Sequence, residues 1–223
     1  MRGAFFFLQL CKDGLAMAKN DLEIEKKYII HDEETFLKIK EEASRLAIPG
    51  LKATKFAGPL IRHDTYYDTA ANALLGQSMA FRMGLKSANE ARLTFKAPTN
   101  HEHTRREIEE SLSPASAERR LRGKENCRVI AALREVIGAE PIFPRLRVSK
   151  LFWALDGRDW FLVFGFVTYA GARGALERFD LEVEAKREGD AQLVEKVGGL
   201  LRDRYRLRED PRSKYEVGMT EVG

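Results

Sequence analysis

LEIEKKYII, residues Leu22–Ile30, is the stretch on which the reading of this chain turns. Glu23, Glu25 and Lys27 recur at period two, so in a β-strand all three side chains project to the same side. Two carboxylates and an ammonium side by side can hold a divalent cation and still salt-bridge a phosphate. One isolated E-x-E-x-K is more simply a solvated strand face. The weight therefore falls on what the rest of the chain repeats.

It repeats the pattern several times. A strand predicted from Lys55 to Asp68 ends in IRHDTYYDT, which places Arg62, Asp64, Tyr66 and Asp68 on one face. A hairpin follows, Met79–Leu85 and Ala91–Ala97. On its second strand Arg92, Thr94 and Lys96 share one side while Leu93, Phe95 and Ala97 share the other. Arg105 to Leu112 carries Arg105, Glu107 and Glu109 on one side. Phe143–Leu155 and Asp159–Tyr169 flank Asp156-Gly157, a strong hairpin turn. Glu177 to Lys186 aligns Arg178, Asp180, Glu182, Glu184 and Lys186 against Phe179, Leu181, Val183 and Ala185.

Helices separate these strands. Asp32 to Thr35 opens one, with Phe36, Ile39, Ala43 and Leu46 as its apolar stripe and Pro49-Gly50 as its stop. A second helical stretch is expected from Ser113-Pro114 to about Ile137, and a last one is capped by Asp190. Arg212 to Val217 closes the chain as a short segment.

Composition narrows the class. A net charge of +4 over 223 residues permits an anionic ligand without singling out nucleic acid. Cys11 and Cys127 fit no metal or redox spacing and suggest a reducing, cytoplasmic setting. MRGAFFFLQLC has a basic start and an apolar run, but the run is short and no small-residue cleavage site follows. Residues 1–20 are therefore expected to be a disordered leader or an over-extended start, and 21–218 a single domain. No apolar stretch is long enough to span a bilayer.

Charged alternation on one sheet would be unremarkable, because an antiparallel sheet usually has one wet face. Here acids and bases occupy neighbouring positions on about eight strands, with helices available to cover the apolar face. Closing such a sheet removes its edges and turns the charged face into a lumen. The expected fold is α+β: an eight-stranded closed antiparallel β-barrel, a tunnel, with helices packed outside. Its lining suits a polyanion bridged to a hard cation: Mg²⁺ takes oxygen ligands from one or two carboxylates plus phosphates, and arginine forks match phosphate oxygens. No phosphate-binding glycine loop and no zinc spacing is present.

These residues resemble the CYTH domain, or triphosphate tunnel metalloenzymes, from Asp21 to Gly218. The resemblance rests on E-x-E-x-K at Glu23–Lys27, D-T-Y-Y-D-T at Asp64–Thr69, F-R at Phe81-Arg82 and L-T-F-K at Leu93–Lys96. R-x-E-x-E at Arg105–Glu109, E-x-E at Glu182–Glu184 and S-K-Y at Ser213–Tyr215 extend it. It implies a small-molecule triphosphate substrate with Mg²⁺ or Mn²⁺, in a monomer or homodimer that uses neither nucleic acid nor membrane. By the same resemblance Glu23, Glu25, Glu182 and Glu184 hold the metal, with Glu107 and Glu109 as additional candidates. Lys27, Arg82, Lys96, Arg105, Arg147, Lys150 and Lys214 grip phosphates, and Tyr66 with Lys96 activates water. Two departures stand out. Gly84 replaces a second arginine after Arg82, and Gly165 replaces an acid expected to complete the metal site. Three functions stay open: triphosphate hydrolysis, class IV adenylate cyclisation, and a polyphosphate- or nucleotide-binding module without turnover.

Overall fold

The computed structural model describes residues 22–187 and 190–223, so the expected leader lies outside the described residues. The strands are β1 (Leu22–Ile30), β2 (Ala53–Asp68), β3 (Ala80–Ser87), β4 (Glu90–Pro98), β5 (Thr104–Leu112), β6 (Phe143–Gly157), β7 (Trp160–Gly171), β8 (Gly174–Ala185) and the two-residue β9 (Arg208–Glu209). Helices are α1 (Glu33–Ser44), α2 (Pro114–Leu121), α3 (Arg128–Ile137), α4 (Ala191–Tyr205) and α5 (Lys214–Glu221). The sheet runs β5-β4-β3-β2-β6-β7-β8-β1-β9, and β5 also pairs with β1. Eight strands thus form the closed antiparallel barrel that the alternating sequence implies. None of the described helices is long and apolar enough to cross a membrane.

Contacts gather the chain into two compact units, each assembled from three segments; β2, β6, β7 and β8 contribute to both. The first holds β1, α1, α4 and β9. On β1 the even residues Ile24, Tyr28 and Ile30 are buried with Phe36 and Ile39 of α1 and Val194, Val197 and Leu201 of α4. Burial of side chains of this size stabilises by about 1.5–3 kcal/mol each. Phe36 stacks on Phe179 at 4.6 Å. Asp32 caps α1 by accepting from the Thr35 amide at 2.7 Å. Lys26 also points to the helical side, 2.5 Å from Glu195 and 3.1 Å from Glu209. Period two then sends Glu23, Glu25 and Lys27 to the opposite face.

The second unit holds β3, β4, β5, α2, α3 and α5. Phe81, Leu93, Phe95 and Ile108 form a core with Ala117 of α2 and Val129, Ile130 and Leu133 of α3. A second core joins Tyr66, Leu146, Val148, Val167 and Tyr169 to Tyr215 and Val217 of α5. The expected single helix from Ser113 to Ile137 is two helices: α2 ends at Leu121 and Gly123 takes a left-handed φ of 71°, which a glycine adopts without steric penalty. The closing segment, expected from Arg212 to Val217, is a helix. Ser213 and Glu216 form a reciprocal capping box at its start.

Asp68 connects these parts. Its fully buried carboxylate accepts from the amides of Thr69, Leu74 and Leu75 at 2.7–3.0 Å and from the Tyr215 hydroxyl at 2.9 Å. It holds the turn after β2 and docks α5, which makes it structural despite lying on the charged face of its strand. Tyr215→Phe should retain the ring stack on Tyr66, 5.5 Å between centroids, and lose only the hydroxyl. A loss of about 1.5 kcal/mol is expected. Urea unfolding will measure it, and an unchanged midpoint would argue against the Asp68 contact.

Candidate functional site

In the first unit, β1 pairs antiparallel with β8 so that Glu25 faces Glu184 and Lys27 faces Glu182. Like charges directly opposite are destabilising unless a cation lies between them. Lys27 lies beside the first of these carboxylates, its Nζ 3.3 Å from Glu25 Oε1, and both side chains are largely buried. Glu23 lies on the same face, partly buried. Among the described residues no group of three or more acidic, histidine or cysteine side chains is gathered closely enough to cage a metal. The carboxylates of Glu25 and Glu184 offer only oxygen donors, the kind that suits a hard cation. Gly165, where an acid is expected, is closed to any side chain. A Cβ there would lie 2.3 Å from the Leu151 carbonyl oxygen and 2.6 Å from Phe152 Cα.

In the second unit, register lines up the charged parity of four strands. Tyr66 pairs with Arg82 and Arg82 with Thr94, while Thr94 pairs with Glu109. Asp64 pairs with Gly84 and Gly84 with Arg92; Ala80 pairs with Lys96 and Lys96 with Glu107. The apolar parity of the same strands faces α2 and α3, so the fold presents the ionic residues together on the other side.

Asp64 is the anionic centre of this group, its side chain fully buried. Arg62 Nε donates to one carboxylate oxygen at 3.0 Å, and Arg82 Nη1 lies 3.4 Å from the other. Burial pushes the Asp64 carboxyl up, but Arg82, Arg62 and Lys150 outweigh it and hold it well below the ordinary carboxylate range. Burial also works against the Arg82 charge, and Asp64, Tyr66 and Glu107 reverse that, leaving the guanidinium firmly protonated. Lys150 goes the other way. Burial lowers its ammonium pKa, and Arg62 and Arg82 add to the effect against the pull of Asp64 and Tyr66. Glu107 is shared between Lys96 Nζ at 3.4 Å and Arg82 Nη2 at 3.9 Å. The Tyr66 hydroxyl lies 3.5 Å from Arg82 Nη1. Tyr66 and Lys96 are therefore joined through Arg82 and Glu107.

The remaining expected residues are placed differently. Arg147 is exposed, and its odd spacing from Lys150 puts the two on opposite faces of β6. Arg105 is committed to the Ser78 carbonyl at 3.2 Å and to Glu216 at 3.4 Å, where it braces the start of α5. Glu109 accepts from Arg92 at 2.7 Å and from Thr94 at 3.1 Å, which ties it into the ionic face as an arginine partner. Lys214 opens α5, partly buried. Arg62 and Asp64 are the residues that the sequence reading left out of its candidates. The signal was present, since both sit on one face of IRHDTYYDT and Asp64 opens the D-T-Y-Y-D-T motif, but Arg62 belongs to no quoted motif.

Several known structures share this architecture. One, from Bacillus halodurans, is a crystal structure of an adenylate cyclase candidate with 22% identity and a TM-score of 0.64, covering 87% of this chain and 96% of that one. Another is an adenylyl cyclase candidate from Hippeastrum described as having a dominant triphosphatase activity. It shows 17% identity and a TM-score of 0.62, over 90% of this chain and 97% of that one. The PH1819 protein of Pyrococcus horikoshii gives 22% identity and a TM-score of 0.57, over 89% and 99%. Among curated proteins no sequence match is found. The CYTH domain model matches residues 21–218, nearly the whole described chain, and the chain therefore belongs to the CYTH domain family.

Proposed function

We propose that this protein is a divalent-metal-dependent triphosphatase acting on inorganic triphosphate or a nucleoside triphosphate. The observation that carries the reading is the excess of cations on the ionic face of β2–β6. Arg62, Arg82, Arg92, Lys96 and Lys150 outnumber Asp64, Glu107 and Glu109 in the contacts described above. Gathered, partly desolvated cations of this kind are stabilised by an anion with several oxygens. A triphosphate provides one.

Hydrolysis joins a water oxygen to phosphorus and breaks the bond to the bridging oxygen, on which negative charge accumulates. Phosphoryl transfer of this type asks the protein mainly for positioning and charge neutralisation. Arg82, braced by Asp64, would hold phosphate oxygens through its guanidinium fork, with Lys150 and Lys214 as point charges. The Tyr66 hydroxyl would hold the attacking water, and Lys96, once it has given up its own proton to solvent, would receive the proton of that water. A divalent cation, when bound, supplies neutralisation of phosphate oxygens; Glu25 and Glu184 would hold it, with Glu23 and Glu182 beside them. These side chains all address phosphate or metal. Cyclisation would also require a ribose hydroxyl to be positioned, so hydrolysis is the simpler fit.

Pure protein incubated with tripolyphosphate, ATP or thiamine triphosphate, with Mg²⁺ or Mn²⁺, separates the readings. Metal-dependent release of orthophosphate is the expected result. Formation of cyclic AMP and pyrophosphate from ATP would replace the proposal by a cyclase. Tight binding without turnover would replace it by a binding module.

A further inference from the structure

Where the resemblance places a second arginine on β3, this chain has Gly84, and the space is not empty. A Cβ on Gly84 would lie 2.4 Å from Asp64 Oδ1 and 3.6 Å from both Nε and Nη2 of Arg62. The Arg62 guanidinium and the carboxylate that orients it therefore occupy the volume that a side chain at 84 would take. Any residue larger than glycine there would displace a carboxylate pinned between two arginines.

Arg62 is well suited to receive an anion. Its Nε is engaged by Asp64, while Nη2 is buried with no hydrogen-bond acceptor among the described residues, and the same holds for Arg82 Nε. A buried donor left without an acceptor is expensive, more so on a charged group. Two such donors on neighbouring guanidinium groups point to an acceptor that arrives from outside the chain. The Arg62 side chain keeps 24% of its surface exposed, which leaves it approachable.

We propose that Arg62, seated over Gly84 and oriented by Asp64, is a phosphate-binding residue of the substrate site, delivering from β2 the cation that β3 lacks. The assignment rests on the triphosphate reading given above. Glycine at 84 is then part of the device, since it makes room for the guanidinium. Asp64 acts as a positioning residue for both arginines.

The test is direct binding of tripolyphosphate by calorimetry, with a chelator present so that metal plays no part. Arg62→Ala should weaken binding roughly 10- to 100-fold, the range expected for hydrogen bonds to a charged group. Arg62→Gln keeps a donor for Asp64 but removes the charge, and should lose affinity to a similar extent while protecting the fold. Wild-type affinity in a folded Arg62→Ala or Arg62→Gln protein would overturn the assignment. Absence of tripolyphosphate binding by the wild-type protein both with the chelator and with Mg²⁺ would instead overturn the triphosphatase reading itself.

Discussion

Glu25→Gln is expected to reduce metal-dependent triphosphate turnover about a thousandfold, the rate equivalent of about 4 kcal/mol, while leaving the fold as stable as before or slightly more so. The two halves of this expectation have one cause. Glu25 faces Glu184 across β1 and β8, so without metal the pair is a like-charge contact relieved by Lys27, 3.3 Å from Glu25. Removing one charge eases that contact and at the same time removes one of the proposed metal ligands. The clearest measurement is thermal unfolding with and without Mn²⁺. A metal at a hundredfold excess over its dissociation constant stabilises the wild type by about 2.7 kcal/mol, and the variant should lose that shift. A Glu25→Gln protein with full turnover, or with an intact Mn²⁺ shift, would remove Glu25 from the metal site.

Asp64→Asn should have the largest effect on stability, about 3–5 kcal/mol, the usual consequence of removing one member of a buried ion pair. Arg62, Arg82 and Lys150 would be left around a neutral amide. The pH dependence has a defined sign. The folded-state pKa of Asp64 is depressed below its unfolded value of about 3.9, so its contribution is fully present above that value and disappears as pH falls through the folded pKa. Wild-type stability should therefore decline on acidification below about pH 4, and the Asn variant should decline less steeply there. Urea titrations across that range will check both points. Added tripolyphosphate, by supplying negative charge to the same cations, should recover part of the loss. A variant as stable as the wild type would show that Asp64 is not the anion holding these cations in place.

The period-two patterns made the barrel and its charged face legible, because a strand's faces are set by residue parity alone. Glu25 with Lys27, and Thr94 with Lys96, follow from that rule. What parity could not supply is which residues become neighbours across strands. Arg62 reaches the space over Gly84 only because Asp64 pairs with Gly84, and nothing local to IRHDTYYDT announces it. Arg105 shares its face with Glu107, yet a backbone carbonyl and a helix-capping glutamate capture it. Arg147 could have been separated from Lys150 by counting, since an odd interval reverses the face. The break between α2 and α3 was likewise marked by Gly123, within a stretch otherwise periodic enough to read as one helix.

Gly165 carries an implication for the history of the chain. Glycine and aspartate codons are neighbours, so mutation could readily offer an acid at this position. The fold would refuse it, because the space for its first carbon is taken by the main chain at Leu151 and Phe152, which cannot swing aside as a side-chain tip can. Regaining the acid would require a shift in the β6 backbone first, and that shift brings no benefit until the acid is there. An acid introduced at position 165 should therefore cost stability before it can serve as a ligand.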